Sequence, residues 1–365
     1  MPSLAESPIA SCHLALGARM IPFAGWNLPV EYRGLLAEHN ATRHAAGLFD
    51  ISHMGQIRAE GNGALSALES ILANDPAKLR DGEGHYTFLL NDQGGVIDDL
   101  FLYRLNADNF LLVVNAARHT EDLQILAAFK KKDVSFTGNP GSTAGMALQG
   151  PKAYEILTRL LPAHTILPLR NRITEMQLAG HKAWVAATGY TGENGFEIFT
   201  DLLAGPIIWN AILEAGKSDG LLPCGLGSRD SLRLEAGFPL HGQDLSTEIT
   251  PIEAGLGFFI DMKRARPFPG RSILEQQKKG GTTRTCVGLK GQPGQPPPRH
   301  DYPVFQGDKK IGVVTSGVPS PTLGHGIALA LITTPAPTCG QDIEFEVRGR
   351  RVPVKVSPRR FIPKK

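Results

Sequence analysis

The stretch Asn91-Asp92-Gln93-Gly94-Gly95-Val96-Ile97-Asp98-Asp99-Leu100-Phe101-Leu102-Tyr103 constrains the fold more than any other part of the chain. Two adjacent glycines beside Asn and Asp supply the backbone conformations of a tight reverse turn. The apolar segments on either side, residues 86–90 and 96–105, are therefore expected to pair as an antiparallel hairpin. Side chains alternate along a strand, so Asp99, Phe101 and Tyr103 share one face, and Asp98, Leu100 and Leu102 the other. One carboxylate thus points with two aromatic rings. Such a carboxylate is costly to bury and has its pKa raised, which suits proton transfer. Taken alone, the segment fits a plain hairpin closed by an Asp pair better; the rest of the chain reverses that preference.

Two further blocks carry chemistry. The first is Thr188-Gly189-Tyr190-Thr191-Gly192-Glu193-Asn194-Gly195-Phe196-Glu197-Ile198, with three glycines spaced three apart. That spacing lets a backbone turn tightly and approach a flat ligand. It is neither the dinucleotide fingerprint nor a phosphate loop, since the first lacks its spacing and following acid and the second its Gly-Lys-Ser/Thr. What remains is a loop bearing Tyr190 and a strand bearing Glu197, whose two acceptor oxygens match a flat edge of adjacent N–H donors such as a pterin's. A Gly-rich hairpin with a surface Glu fits equally well. The second block, residues 223–237, reads as a helix with Ser228 at its N-cap and Arg229 and Arg233 on one face. Those arginines suit intrahelical ion pairs or a carboxylate clamp, and the segment does not choose between them.

At 365 residues the chain is long enough for two or three domains. Residues 56–137 alternate strand and helix patterns, and a second unit of the same kind runs over about 144–259. Beyond residue 261, prolines punctuate short β-like segments (286–289, 311–315, 343–347 and 352–356), which reads as a separate β domain. Cys12, Cys224, Cys286 and Cys339 are scattered without ligand or disulfide spacing, and His13, His39, His44 and His53 show no metal pattern, so no metal is expected and a reducing, cytoplasmic setting is. No apolar run is long enough to span a membrane, and the first residues, 1–6, do not form a secretory or transit signal. A net charge of +3 is too small to suggest nucleic acid. The last 20 residues are nevertheless strongly basic, which fits a solvated tail, or contact with an acidic partner or anionic ligand.

The order of these blocks is distinctive once Phe23-Ala24-Gly25-Trp26, residues 47–55, Val113-Val114-Asn115-Ala116, Leu148-Gln149-Gly150-Pro151-Lys152-Ala153, Thr315-Ser316-Gly317 and Ser320-Pro321-Thr322-Leu323 are added. Over nearly its whole length the chain resembles the glycine cleavage T-protein family, the aminomethyltransferases. The resemblance implies an α+β cloverleaf of three domains: two α+β lobes with antiparallel sheets, the second inserted in the first, and a C-terminal β-barrel. The implied boundaries are 1–55 with 138–262, then 56–137, then 263–365. It further implies that Asp99 is the catalytic acid/base, and that Met54, Tyr86, Tyr103, Asn115, Tyr190, Glu197 and Arg229 contact tetrahydrofolate. The implied partner is the lipoylated H-protein, whose aminomethyl carbon passes to tetrahydrofolate to give 5,10-methylenetetrahydrofolate, ammonia and the dihydrolipoyl arm.

Two departures concern one wall of the site: His241-Gly242-Gln243 stands where many relatives have Tyr-Gly-Gln, and Phe238 occupies a variable position. Arg359 and Arg360 are candidates to meet the folate glutamate tail. A demethylase of the same fold, an iron–sulfur accessory relative and a plain docking module are the rivals. The accessory relatives carry a Lys-Gly-Cys motif where this chain has Pro239-Leu240-His241, and a docking module would leave Asp99, Tyr103 and Glu197 without a shared purpose.

Overall fold

The computed structural model describes residues 4–129 and 133–364. Lys365, counted above with the basic end, and the first three residues lie outside that range. The hairpin forms as its turn demands: Gly84–Leu90 pairs with Val96–Asn106, placing Tyr86 opposite Phe101 and Phe88 opposite Asp99. Asn109–Val114, Gly55–Glu60 and Ser135–Thr137 extend it to a five-stranded antiparallel sheet. The helix Ala64–Ile71 covers one face, burying Ala64, Ala67, Leu68 and Ile71. That spacing is one stripe of an α-helix, and it packs on Ile57, Leu100, Leu102 and Leu112.

The other face of this sheet meets a second sheet. Its order is Ile173–Leu178, His181–Ala186, Gly195–Asp201, Thr143–Gln149, Gly47–Asp50 and Leu222–Cys224, antiparallel except for the last, parallel pair. Strand Gly47–Asp50 precedes the five-stranded unit and its neighbour Thr143–Gln149 follows it, so that unit is an insertion between two adjacent strands. Phe49, Ile51, Tyr103, Leu111, Val113, Phe199 and Leu232 fill the seam between the two sheets. The helix Ala204–Gly216 closes the far face of the second sheet with Ile208, Trp209 and Ile212. A small three-stranded sheet, Ala5–Glu6, Trp26–Glu31 and Arg19–Phe23, flanks it.

The C-terminal segment is a closed six-stranded barrel. Val352, Val354 and Val356 alternate inward along Arg350–Ser357 against Val304, Ile343 and Phe345. Strand His325–Thr333 was not expected from the sequence. It is buried from Gly326 to Ile332, with Ala328, Ala330 and Ile332 in the barrel core and Ile327 and Leu329 packed outward on Leu234 and Phe361. Both faces being apolar, it carries no alternation to read.

The basic end is not a solvated tail. Phe361 returns its backbone N–H to the Glu235 carbonyl, and Arg359 donates to the carbonyls of Ala254 and Gly255. The helix Leu226–Glu235 lies where all three lobes converge, and its N-cap is Gly225, not Ser228. A Cβ at Gly225 would stand 2.3 Å from the Val30 carbonyl, so only glycine lets the helix start against that strand. Ser228 sits one turn in, fully buried, donating to the Gly225 carbonyl.

Candidate active site

Where the lobes converge they enclose a cavity of about 1260 Å³. Strand Val96–Asn106 delivers Asp99 to its wall with Phe101 beside it, while Asp98 faces the opposite side of the sheet, as alternation requires. The Asp99 carboxylate is held from both sides: Tyr86 Oη donates to Oδ2 at 2.6 Å, and Asn115 Nδ2 donates to Oδ1 at 3.0 Å. Tyr86 arrives from the neighbouring hairpin strand, and Asn115 from just past the end of Asn109–Val114. Burial raises the proton affinity of Asp99; the Tyr86 hydroxyl, His241 and Asn115 partly offset it. The result is a carboxyl above its ordinary range that still accepts two hydrogen bonds, a group able to take a proton and return it.

Across the cavity stands Glu197 of Gly195–Asp201. Burial raises its carboxyl as well, with Thr188 and Arg229 opposing. Thr188 Oγ1 donates to Glu197 Oε2 at 2.6 Å and is itself 2.7 Å from Tyr103 Oη. Tyr103 is 0% exposed and stands behind the wall, so it shares the Asp99 face of its strand but acts on the cavity only through Thr188 and Glu197. Tyr190 stacks on Phe238 with ring centroids 5.8 Å apart, and the Arg229 guanidinium lies 4.7 Å over the Tyr190 ring. Tyr190 is anchored through its hydroxyl to the Pro239 carbonyl.

The two arginines of the central helix divide their labour. Arg233 is committed to Asp230, Asp244, Ser316 and the Phe238 carbonyl. Among the described residues, Arg229 Nη1 is buried with no acceptor and borders the cavity, and His53 Nδ1 is likewise buried there without a partner. Burial and Arg229 push His53 down to about 4, so it is neutral at physiological pH. Met54, Tyr86, Asn115, Tyr190, Glu197 and Arg229 all line the one cavity with Asp99. Of the glycines, Gly189 and Gly195 are required by the protein itself: a Cβ at Gly189 would meet Gln149 Oε1 at 1.9 Å, and one at Gly195 the Leu148 carbonyl at 2.3 Å.

Thr188 and His53 gave no sign in sequence, because their roles depend on neighbours far away in the chain. Asp122 did give one. The helix His119–Ala128 buries His119, Asp122 and Leu126, and an acid on the buried stripe of a helix asks for a partner. Its two carboxylate oxygens have no hydrogen-bond partner among the described residues, and burial raises its carboxyl to about 6.

Two buried, raised carboxyls, Asp99 and Glu197, share one aromatic-lined cavity, an arrangement that suits a transferase acting on a flat ligand with N–H donors. Comparison with known proteins narrows it. Residues 9–264 match the family described as the GCVT N-terminal domain, and residues 284–362 the glycine cleavage T-protein C-terminal barrel domain. The aminomethyltransferase of Geobacillus kaustophilus is 42% identical over 357 residues, spanning 97% of this chain and 98% of that protein. That of Bacillus subtilis is 42% identical over 358 residues, with the same coverage. The crystal structure of glycine cleavage system aminomethyltransferase T from Bartonella henselae superposes with a TM-score of 0.91 at 34% identity, covering 100% of this chain and 99% of that one. The chain belongs to the glycine cleavage T-protein family and is an aminomethyltransferase.

Proposed function

We propose that Asp99 is the group that moves protons in this aminomethyl transfer, and that tetrahydrofolate lies between it and Glu197. The observation that carries this is the Asp99 carboxylate itself, raised by burial yet gripped by Tyr86 and Asn115 at the wall of the cavity where the lobes meet. Glu197, held by Thr188 and backed by Tyr103, receives the donor edge of the pterin, and the unpaired Arg229 nitrogen faces an acceptor on the same ring system. Met54, Tyr190 and Asn115 complete the folate seat, with Tyr190 fixed by Phe238 and Arg229.

The reaction joins the methylene carbon of the aminomethylated lipoyl arm of H-protein to two folate nitrogens. Its bonds to sulfur and to the amino nitrogen break, and the two N–H protons of tetrahydrofolate end on ammonia and on the lipoyl thiol. A single carboxylate that accepts from folate and donates to the departing amine serves both ends, typically worth ~10²–10⁴ in rate. The electrophilic carbon would be lost to water in an open site, which the aromatic walls of Tyr86, Phe101 and Tyr190 guard against. Holding folate and lipoyl arm together supplies much of the remaining acceleration.

The lobes act as the units 1–55 with 138–262, 56–137 and 263–365, each contributing to the cavity rim. Among the described residues, no helix is long and apolar enough to cross a membrane. Four free cysteines fit work in a reducing, cytoplasmic compartment. Arg359 and Arg360 border the cavity, but both are largely spent on backbone carbonyls, so the folate tail leaves past them and is not clamped by them. Calorimetric titration with tetrahydrofolate, followed by ammonia release with aminomethylated H-protein, tests the whole. Binding with release supports it; binding without release moves the protein to a folate-dependent demethylase, and no binding removes the folate seat.

A further inference from the structure

The segment Gly255-Leu256-Gly257-Phe258-Phe259 sets two bulky rings side by side behind a pair of glycines. Gly257–Phe259 folds as a single 3-10 turn, in which consecutive side chains point about 120° apart. The two rings therefore diverge. Phe258 is 72% exposed, whereas Phe259 is half-buried and turns onto Tyr86 at the cavity wall.

The turn is fixed on both sides. Gly255 has φ +70°, and a Cβ there would stand 2.7 Å from Arg359 Cζ, while the Leu256 N–H donates to the Pro251 carbonyl at 2.7 Å. Beyond the turn, the Asp261 N–H donates to the Ala73 carbonyl at 3.1 Å, and the Asp261 carboxylate pairs with Lys78. The turn is thereby latched to the lobe that carries Asp99.

Phe259 and Tyr86 have ring centroids 4.7 Å apart and planes at 68°, an edge-to-face pair. Phe88, two residues further along the strand, meets the Tyr86 ring at 5.1 Å and 77°. The Tyr86 backbone is held independently of both: its carbonyl accepts from Asn74 Nδ2 at 3.1 Å, and its strand pairs with Val96–Asn106. What the backbone leaves open is the rotamer of the ring, which borders a cavity of about 1260 Å³. That rotamer decides whether the Tyr86 hydroxyl reaches Asp99 Oδ2, to which it donates at 2.6 Å.

We propose that Phe259 is a positioning residue for the transfer: packed edge to face on Tyr86, it holds the Tyr86 hydroxyl on the Asp99 carboxylate. This rests on the assignment of proton transfer to Asp99. The hydroxyl favours the ionised carboxylate, so a Tyr86 ring that swings away leaves Asp99 with a higher proton affinity. The titratable groups facing Asp99 are Tyr86 from the neighbouring strand, Asp98 from its own, Asp122 from the helix behind, and Tyr190 and His241 from the loops. Phe259 acts on this set through the Tyr86 ring.

The test is a double-mutant cycle read as ammonia release over pH at saturating tetrahydrofolate, using the full-length protein and aminomethylated H-protein. Wild type, Phe259→Ala, Tyr86→Phe, the double variant and Asp99→Asn are compared. An edge-to-face pair is worth about two- to tenfold in an equilibrium, so Phe259→Ala is expected to lower kcat at pH 7 by about that factor. Its acidic limb should move upward, in the direction of Tyr86→Phe. In the Tyr86→Phe background the hydroxyl is already gone, so the second substitution should change kcat by less than about twofold and leave the limb where it is. A wild-type acidic limb in Phe259→Ala, or losses that multiply in the double variant, would overturn the proposal and leave Phe259 a plain packing residue. Should Phe259→Ala not fold, Phe259→Leu keeps the apolar bulk without the ring edge; an upward limb supports the proposal and a wild-type limb overturns it. If Asp99→Asn turns over normally, the assignment beneath the proposal has failed instead.

Discussion

Removing the charge of Glu235 should unlatch the barrel from the rest of the molecule. Its carboxylate, 0% exposed, accepts from Arg43 Nη2 at 2.7 Å, Ser320 Oγ at 2.5 Å and Thr322 Oγ1 at 2.8 Å, and lies 3.2 Å from His39 Nε2. Burial by itself would raise this carboxyl, yet His39, Ser320 and Arg43 together hold it at about 2 against an ordinary 4.5. At about 1.4 kcal/mol per pH unit, that depression corresponds to ~3 kcal/mol favouring the folded state. Breaking a buried pair from one side costs a similar ~3–5 kcal/mol. Because the folded value is the lower one, the contribution is complete above the unfolded value near 4.5 and drains away as pH falls toward 2. Glu235→Gln should therefore be ~3 kcal/mol less stable than wild type in urea unfolding at pH 7, with the gap narrowing as pH drops below 4.5. The same variant should loosen the loop at Tyr190, because Arg43 also holds the Thr191 carbonyl and Glu193. A gap under about 1 kcal/mol at pH 7, or one that does not change with pH, would refute the reasoning.

Two site substitutions separate binding from chemistry. Tyr86→Phe deletes a 2.6 Å donor to Asp99. A hydrogen bond to a charged group is worth about 1.5–3 kcal/mol, so kcat should fall by about tenfold or more and the acidic limb of the pH profile should move upward, as steady-state ammonia release over pH would show. Glu197→Gln keeps the shape of the folate seat but removes its charge. Tetrahydrofolate affinity by calorimetry should weaken by about 10–100-fold, with kcat at saturation falling less.

Local chemistry was legible where one segment contains its own reason. The Gly94-Gly95 turn fixed the hairpin, and alternation along Val96–Asn106 correctly set Asp99 with the aromatics and Asp98 against the helix-covered face. The stripe Ala64, Ala67, Leu68 and Ile71 announced its helix. What escaped depends on distant partners. Strand His325–Thr333 is apolar on both faces, so it shows no period to distinguish it. Ser228 looked like a cap because Ser commonly caps, but the close approach of Val30 hands that position to Gly225. Arg229 and Arg233 were indistinguishable until Asp244 and Ser316 came round to claim Arg233. The nesting of one lobe in another came from family resemblance, since no residue pattern near 55 or 138 announces that neighbouring strands are separated by an intervening unit.

The central claim is that Asp99 carries protons for the transfer and contributes little to holding folate. Its most direct test pairs calorimetric titration of Asp99→Asn with tetrahydrofolate and single-turnover ammonia release from aminomethylated H-protein by the same variant. The amide keeps the size and one acceptor of the carboxylate and loses its ability to take a proton. Folate affinity within a few-fold of wild type, with release slowed by ~10²-fold or more, is the predicted outcome. Release at the wild-type rate from a folate-bound Asp99→Asn protein would contradict the account.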